Sequence, residues 1–322
     1  MGSDGFEMRP ASEADVPQIL ELLQGSLGWT TGERSAAFYR WKHHDNPFGV
    51  SPAWVAVVED RIVGLRIWLR WRFTDGTRSW DAVRAVDTAT HPDFRERGIF
   101  HRMTTASLEQ LRAQGIAHVF NTPNEQARRG YLEMGWEEVG TLPVAVRFRS
   151  PMAAASMVRS RVAPERWSVV SGVGSAALDV LADDDEVAGL LASMPATGIR
   201  TDLDVEVLRW RYGFDPLRYR GVRMRDGGGI GLFRLRRRGS ALECVVGHLL
   251  APDETARRRL LARIAKVSGA DQVLELTHRP HLAGGFLPLP GGGPVLTWRG
   301  LNDTVMPPLG RWHLAMGDVE LF

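Results

Sequence analysis

The sequence predicts an α/β fold made of two tandem domains. Its 322 residues are enough for about two domains at roughly 100–200 residues each. In the first half, segments with helical spacing of apolar residues alternate with strand-like segments, as in an α/β domain. The second half then repeats the order of the first-half motifs. We therefore expect one domain over residues 1–150 and a second over residues 151–322.

The first half begins with an amphipathic helix. Ser12 is a capping residue, and Val16 and Ile19 follow it at helical spacing. Further on, His91-Pro92 ends a strand because proline cannot donate to a ladder. The elements expected after the first helix are a short helix at 38–41, strands at 53–59, 62–73 and 80–90, a helix at 98–114, a strand at 117–121, a helix at 124–134 and a strand at 136–146.

An ordered series of matches indicates that the second half is a copy of the first. Segments 41–47 and 210–216 both read Trp, a basic residue, four further positions, then Pro. Each is followed by a pair of strands, a strand ending at His91-Pro92 or Ala251-Pro252, a helix and another strand. One such match would be weak, but several in the same order predict a duplicated domain.

Composition excludes several classes of protein. The net charge is only +2, which does not suggest a nucleic-acid-binding surface. Cys244 is the single cysteine, so no internal disulfide can form, and we expect it to be buried among apolar residues. No metal-binding spacing of Cys or His is present. Residues 1–7 do not resemble a signal peptide and no apolar run is long enough for a membrane span, so we expect a cytoplasmic protein.

The stretch 87–102 is the most informative part of the sequence. A strand ends, a basic turn containing Gly98 follows, and a helix begins. The first amides of a helix lack internal partners and lie at its positive end, which suits a phosphate or pyrophosphate. Gly98 lets the backbone approach closely, and Arg95, Arg97 and Arg102 add positive charge. The plain alternative is a strand, a turn and a helix with solvated arginines.

Here the sequence resembles the GNAT superfamily of acyl-CoA N-acyltransferases. The motif Arg95-x-x-Gly98-x-Phe100 follows His91-Pro-Asp and is similar to the coenzyme A signature of that family. Phe100 stands where the family usually has Gly or Ala, which fits the turn only if its ring faces the core. The resemblance implies two domains that each have a mixed, mostly antiparallel sheet flanked by helices, with acetyl-CoA or another acyl-CoA as co-substrate.

The resemblance also implies a set of cofactor-binding residues. Backbone amides of residues 97–102 would hold the pyrophosphate, and strand residues 88–90 would line the pantetheine arm. The full expected set is Thr88, Ala89, Thr90, Arg95, Arg97, Gly98, Ile99, Phe100, His101, Arg102, Asn124 and Ala127.

A second motif lies at the distance expected for the family. The chain reads Asn124-x-x-Ala127-x-x-x-Tyr131-x-x-x-Gly135-Trp136. By the resemblance, Tyr131 would protonate the thiolate of coenzyme A as it leaves, which is general-acid catalysis. The alternative is a tyrosine that simply packs on an amphipathic helix.

The base is less defined than the acid. Asp87 lies on the strand leading to the turn and could accept the amine proton directly or through a water. Alternatively, Asp87 pairs with Arg84 or another strand arginine. His43, His44, His101 and the terminal carboxylate of Phe322 are weaker candidates.

Arginine and tryptophan share one face of the strand at 62–73. This face carries Arg66, Trp68, Arg70 and Arg72. A solvated sheet face and a surface for an anionic acceptor explain it equally well.

The second domain lacks the cofactor signature. After Ala251-Pro252 no glycine stands where a backbone would meet a pyrophosphate, so we expect a degenerate copy that does not bind coenzyme A. Residues 277–281, Thr-His-Arg-Pro-His, could line an acceptor cleft or form a polar loop.

Together these features predict an acyl-CoA-dependent N-acyltransferase. It would move an acetyl or longer acyl group to a primary amine of a small metabolite, natural product or amino sugar. The amine would attack the thioester directly. The alternatives are an aminoacyl transferase with tandem domains of this fold, a transferase whose donor is an acyl carrier protein, and a non-catalytic acyl-CoA-binding protein.

Overall fold

The computed structural model describes residues 5–30, 32–159, 162–195, 197–225, 227–302 and 304–320. Two sequence predictions fall partly or wholly outside the described residues. They concern residues 1–4, at the start of the segment examined for a signal peptide, and the terminal carboxylate of Phe322, a candidate base. No helix among those described is both long and apolar enough to cross a membrane.

The elements of the first half follow the predicted order closely. They are β1 (Glu7–Pro10), α1 (Val16–Leu27), α2 (Glu33–His43), β2 (Ala53–Val58), β3 (Arg61–Thr74), β4 (Ser79–Thr90), α3 (Ile99–Ala113), β5 (His118–Asn121), α4 (Glu125–Glu133), β6 (Glu137–Thr141) and β7 (Val144–Phe148). The short strand β1 was not predicted from the sequence, because Met8 is the only large apolar residue within it.

The second half repeats helices and strands in a similar sequence. Its elements are α5 (Pro151–Arg159), β8 (Ser175–Ala176), α6 (Ala177–Val180), α7 (Asp184–Ser193), β9 (Arg200–Thr201), α8 (Val205–Gly213), β10 (Arg220–Arg223), β11 (Ile230–Arg238), β12 (Ala241–Leu250), α9 (Glu254–Ser268), β13 (Gln272–Leu276), β14 (Leu287–Pro288), β15 (Val295–Gly300) and α10 (Met316–Val319).

The chain divides into two compact units whose limits differ from the predicted boundary at residue 150. Unit 1 contains the chain up to Phe73, Ser79–Gly140 and Val295–Pro307. Unit 2 contains Thr74–Arg78, Thr141–Pro294 and the chain from Pro308 onward. Strand β7 therefore belongs to unit 2, and strand β15 from the second half belongs to unit 1.

The single strand predicted at 136–146 is wrong. The chain forms two strands there, β6 and β7, separated by Leu142-Pro143. Because proline has no amide hydrogen to donate, it interrupts strand pairing at this point. The two strands join different sheets.

The sheet of unit 1 has the order β1-β2-β3-β4-β5-β15-β6. Strands β1 and β2, β2 and β3, and β5 and β15 pair antiparallel. Strands β4 and β5 are parallel, with Ala82 opposite His118 and Arg84 opposite Phe120. Beyond Arg84, β4 continues to Thr90, whereas β5 ends at Asn121. Helix α3 connects β4 to β5 and contributes residues to the core on the same sheet.

The sheet of unit 2 repeats this arrangement. Its order is β14-β7-β13-β12-β11-β10-β8. Strands β12 and β13 are parallel, from Glu243 opposite Gln272 to Val245 opposite Leu274, and β12 then continues to Leu250 before α9. Its other neighbouring strands pair antiparallel. The predicted fold class is confirmed, with two mixed, mostly antiparallel sheets flanked by helices.

Candidate active site

The N-terminus of α3 forms an open turn at Gly98. Gly98 is the residue before the helix and has φ 71°, a left-handed conformation that favours glycine. No side chain of the described residues caps this helix end. A Cβ placed on Gly98 would meet no described atom within 4 Å. The first amides of α3, beginning with the buried Ile99, therefore lie at a helix end whose approach is open to an anion.

The basic side chains of the turn surround this helix end. Arg95 and His101 are exposed. Arg97 donates from Nη2 to the carbonyl oxygen of Asp93 at 3.2 Å, and its guanidinium lies over the Phe94 ring. Arg102 lies over another aromatic ring nearby, at 4.2 Å from the centroid of Phe6. Arg95, Arg97 and Arg102 thus carry positive charge on the turn and the first turn of α3.

Phe100 points into the core rather than into the turn. Its ring meets the ring of Tyr131 edge-on, with centroids 5.6 Å apart and planes at 84°. The ring also packs against α4, where a Cβ built on Gly130 would lie 3.4 Å from it. The larger side chain at this position is thus accommodated by packing and does not fill the space beside Gly98.

The strand residues expected to line a pantetheine arm make different contacts. Thr88 Oγ1 accepts a short hydrogen bond from Arg66 Nη1. Ala89 is buried. The carbonyl oxygen of Thr90 accepts a hydrogen bond from Ser26 Oγ at 3.2 Å. The three residues belong to the part of β4 that continues past its pairing with β5.

Asn124 and Ala127 have a structural relationship that accounts for their spacing. Asn124 is the residue before α4, and its Oδ1 accepts the backbone amide of Ala127 at 2.8 Å. This is an ordinary N-terminal helix cap. The cap fixes the start of α4 and so places Tyr131, two turns later, against the sheet.

Tyr131 is buried and linked to Arg66. Arg66 Nη1 donates to the Tyr131 hydroxyl oxygen at 2.8 Å. A guanidinium cannot accept a hydrogen bond, so the Tyr131 hydroxyl proton remains available for another acceptor. Tyr131 retains 5% of its surface exposed. The geometry therefore suits a hydroxyl that donates its proton.

Arg66 is a buried cation whose hydrogen-bonding capacity is only partly used. Its side chain is fully buried, and its Nε and Nη2 have no hydrogen-bond partner among the described residues. The guanidinium stacks at 3.8 Å from the Trp68 ring centroid, which offers a cation–π contact. Burial lowers the pKa of Arg66, against the raising influence of Tyr131. The expectation of a solvated face is thus wrong for Arg66 and Trp68, which are both buried.

Asp87 is held by two neighbours at the C-terminal end of α2. Its Oδ2 accepts from Lys42 Nζ at 2.6 Å and lies 2.9 Å from His43 Nε2. Its backbone has φ 44°, in the left-handed region, within strand β4. The alternative pairing of Asp87 with Arg84 is wrong, because the ion pairs of the Asp87 carboxylate are with Lys42 and His43.

Electrostatics make Asp87 a firmly ionised group. Burial alone would raise the pKa of Asp87, but Lys42 and His43 outweigh it and bring the pKa to about 2. Burial lowers the pKa of His43, and Lys42 lowers it further, although Asp87 acts in the opposite direction. An ionised carboxylate with so low a pKa is a weak proton acceptor near neutral pH. A neutral His43 beside it is the better one.

The partners of His43 define its tautomer. An ionised carboxylate can only accept, so Nε2 carries the proton that bonds Asp87. The unprotonated Nδ1 then accepts from Ser51 Oγ, 3.1 Å away. Ser51, His43 and Asp87 thus form a connected chain of buried polar groups. By contrast, His44 Nδ1 lies 3.0 Å from Glu13 Oε1, outside this chain.

Sequence reasoning missed three members of this site. Arg66 was noticed only as part of a strand face, and Lys42 only as part of the repeat. Ser51 was not noticed at all. The strand alternation at 62–73 placed Arg66 and Trp68 on one face, and an Arg beside a Trp on a strand was the available signal. Nothing local to Ser51 indicated its contact with His43.

Comparisons with known proteins place the first unit in a recognised group. Residues 7–139 match the family model described as an acetyltransferase (GNAT) domain. No curated protein sequence matches the chain. Among the described residues, no group of three or more His, Cys, Asp or Glu could hold a metal ion.

Similar solved structures cover nearly the whole chain. A GCN5-related N-acetyltransferase from Anabaena variabilis has TM-score 0.65 at 14% identity, over 92% of this chain and 73% of its own. A probable N-acyltransferase of unknown function from Enterococcus faecalis has TM-score 0.66 at 12% identity, with the same coverages. A GCN5-related N-acetyltransferase from Kribbella flavida has TM-score 0.59 at 16% identity, over 93% of this chain and 72% of its own. These similarities show a shared fold across both units.

Proposed function

We propose that this chain, whose residues 7–139 are a GNAT acetyltransferase domain, is an acyl-CoA-dependent N-acyltransferase. It moves an acetyl or longer acyl group to a primary amine of a small metabolite, natural product or amino sugar. The observation that carries the proposal is the uncapped N-terminus of α3 behind Gly98. The match to the acetyltransferase domain supports transfer of an acyl group, and the site geometry supports coenzyme A as its carrier.

The residues around Gly98 would hold the donor. Backbone amides at the start of α3 suit the pyrophosphate, because a helix N-terminus favours negative charge. Arg95 and Arg97 add positive charge close to this end. Residues 88–90 would line the pantetheine arm along the part of β4 that extends past β5. When bound, the thioester supplies an acyl carbon that an amine can attack.

Tyr131 would act as the general acid. The amine nitrogen forms a bond to the thioester carbon, the carbon–sulfur bond breaks, and the sulfur takes the Tyr131 hydroxyl proton. Arg66 is then a positioning residue, because it orients the Tyr131 oxygen and stabilises the negative charge that develops there.

Asp87 would act through His43. The amine must lose a proton, and His43 Nδ1 accepts it through the Ser51 hydroxyl. The ionised Asp87 fixes the His43 tautomer and stabilises the imidazolium that forms. Lys42 in turn keeps Asp87 ionised by its short ion pair.

An acyl-transfer assay tests the proposal directly. Release of free thiol would be followed with acetyl-CoA and decanoyl-CoA against a panel of primary amines. Tyr131→Phe should lower kcat by about 100-fold, the ordinary contribution of a general acid, and leave KM for the acyl-CoA unchanged. Tyr212→Phe makes the same change at a buried tyrosine of unit 2 and should keep full activity.

The same assay separates the proposal from its alternatives. Binding of acyl-CoA with no release of free coenzyme A thiol in the presence of any amine would favour a non-catalytic acyl-CoA-binding protein. Full activity in Tyr131→Phe would remove Tyr131 from the acid role. Activity with an acyl carrier protein but not with acyl-CoA would favour the carrier-dependent transferase.

Arg66→Met separates catalytic positioning from structural support. Because the substitution removes a buried cation with two unpartnered nitrogens, we expect Tm to rise or stay unchanged. We expect kcat to fall about 10- to 100-fold, with KM for the acyl-CoA unchanged. A parallel loss of Tm and activity would instead indicate a purely structural role.

A further inference from the structure

Unit 2 contains a cavity of about 390 Å³. It lies where β12 and β13 separate, beside the first turn of α9, with further walls from β9 and the chain before α10. Its volume falls in the range of sites for small metabolites, roughly 300–1,000 Å³. The cavity occupies the position in unit 2 that the open turn of α3 occupies in unit 1. It is not part of the acyl-CoA site proposed above.

Most acidic side chains on the wall of this cavity are already engaged. Asp253 caps α9 by accepting the amide of Ala256 at 2.8 Å. Glu254 accepts from Arg257 and Arg258. Asp318 pairs with a buried arginine of α8 and accepts the amide of Ala315 at 2.7 Å. Glu254 and Asp318 are thus neutralised by arginines, and Asp253 is engaged by an amide, which leaves Asp202 as the acidic group without such a partner in the contacts above.

Several basic groups line the cavity as well. They are Arg200, Arg257, His278, Arg279 and His313, with His248 deeper in the wall. Arg257 is paired with Glu254 and Glu275. The remaining group consists of Arg200, His278, Arg279 and His313, which we call the basic wall.

The basic wall contains polar atoms suited to a ligand. Arg200 Nη1 is buried and has no hydrogen-bond partner among the described residues. His278 Nε2 lies 2.9 Å from the carbonyl oxygen of Trp312, so Nε2 carries a proton and Nδ1 is left for another partner. The rings of His278 and His313 are 5.9 Å apart. Partial burial lowers the pKa of His313, and His278, Arg279 and Arg200 lower it further. The guanidinium groups of Arg200 and Arg279 therefore both lie near His313.

We propose that this cavity binds a small metabolite through a carboxylate or phosphate group held by Arg200 and Arg279. An oxyanion would satisfy the unpartnered Arg200 nitrogen and relieve the repulsion within the basic wall. Arginine forks match the geometry of both carboxylate and phosphate. The cavity volume limits the ligand to a small molecule rather than a whole coenzyme A.

The N-terminus of α9 does not provide this anion site. The Asp253 carboxylate already accepts an amide of the first turn, and its negative charge opposes a phosphate there. The anion is therefore placed at the side chains of the basic wall. This distinguishes the unit 2 cavity from the backbone cradle at Gly98.

Titration of the whole chain with inorganic phosphate and, separately, with succinate tests the proposal. The titrations use Gly98→Asp as the parent, so that anion binding at α3 does not contribute. We expect one of the two anions to bind and to shift histidine NMR signals. In the same parent, Arg200→Gln or Arg279→Gln should weaken that binding at least 10-fold. Arg237→Gln, an exposed arginine of the same unit outside the cavity, is the matched control and should bind as the parent does.

The two arms identify the anion. Tighter binding of phosphate would indicate a phosphorylated metabolite, and tighter binding of succinate a carboxylic acid. Equal binding in the parent and in Arg200→Gln, or no binding of either anion, would overturn the proposal. Acetyl-CoA binding measured with Gly98 intact in the Arg200→Gln chain should be unchanged, so the two sites can fail independently.

Discussion

Helices α3 and α9 follow the same arrangement of strands but begin differently. Each connects two parallel strands, β4 to β5 or β12 to β13, and the first strand of each pair continues past its pairing with the second. Helix α3 begins after Gly98 with no side-chain cap, whereas α9 begins after Asp253, whose carboxylate accepts the first-turn amide of Ala256. The comparison shows that the same strand framework can lead to an open or a capped helix start, and under the proposed function only the open start holds a phosphate.

The repeated tryptophan-basic segment shows a second difference. Lys42 and Arg211 occupy matching positions of the repeat, and both are buried. Lys42 pairs with Asp87 on β4, next to the candidate site. Arg211 pairs with Asp318 on α10, at 2.5 Å. In unit 1 the buried cation joins a helix to a strand that leads to the candidate site, while in unit 2 it joins two helices.

Truncation to residues 1–150 should have the largest effect. It removes β15, which pairs with β5 from Thr297 opposite Asn121 to Gly300 opposite His118. The exposed edge of β5 should then promote aggregation. We expect no soluble folded protein, as judged by gel filtration and circular dichroism.

A matched control for the truncation restores the missing strand. Residues 295–307 joined to residue 140 through a flexible linker should recover a soluble monomer. A truncated chain 1–150 that is soluble and binds acetyl-CoA normally would contradict the place of β15 in unit 1.

Asp87→Asn should strongly destabilise unit 1. It leaves the Lys42 ammonium buried without its counter-charge, which costs about 3–5 kcal/mol in the free energy of unfolding. Asparagine tolerates the left-handed backbone at this position, so strain does not add to the effect. Urea unfolding of the variant measures it.

A second substitution makes the Asp87 result specific. Lys42→Met combined with Asp87→Asn should recover most of the lost stability, while acyl transfer stays low because His43 has lost its carboxylate partner. Recovery of full activity in the double variant would contradict the role of Asp87 through His43.

His118 should make stability depend on pH. Burial lowers the pKa of His118 to about 3, whereas the unfolded chain has an ordinary value near 6.5. Between these values the unfolded state binds more protons, so stability falls as the pH drops below about 6.5. The expected slope is about 1.4 kcal/mol per pH unit for this one group.

His118→Gln tests the contribution of His118 to the pH dependence of stability. Glutamine is chosen because it is the residue at the matching position of unit 2. Gln272 occupies the matching register position in unit 2, where it bonds Glu243. Between pH 6 and pH 4, the change of unfolding free energy with pH should be smaller in His118→Gln. The decrease should correspond to the uptake of about one proton fewer on unfolding. An unchanged slope would show that His118 is charged in the folded protein.

Asp253→Ala should have the smallest effect. Loss of this cap should cost about 1 kcal/mol in unfolding free energy. Asp183→Ala, which removes a similar cap from α7, should cost about the same. We expect neither variant to bind acetyl-CoA in unit 2, because no glycine replaces the missing cap. Binding gained by Asp253→Ala would show that the cap alone excludes the cofactor.

Local signals predicted much of unit 1 from the sequence. Gly98, the periodicity of α3 and the spacing from Asn124 to Tyr131 lie within one or two elements, so their geometry follows from short-range rules. Helix α3 also begins and ends within a residue or two of the expected limits.

Contacts between distant residues were not predictable in the same way. The pairing of β15 with β5 joins residues about 180 positions apart, and neither strand carries a signal for the other. Lys42 and His43 meet Asp87 only after α2 packs beside β4. Strand alternation placed Arg66 on a face, but what covers that face depends on helices packed later in the chain.

Calorimetric titration with acetyl-CoA tests the central claim most directly. Gly98→Asp and Gly98→Asn differ only in charge, and asparagine tolerates a left-handed backbone. We expect micromolar binding in the unaltered chain, a loss of more than about 100-fold in Gly98→Asp, and a loss of no more than about 10-fold in Gly98→Asn, because only the aspartate repels a pyrophosphate. Equal binding in all three chains, or no binding to the unaltered chain, would contradict a coenzyme A site at α3.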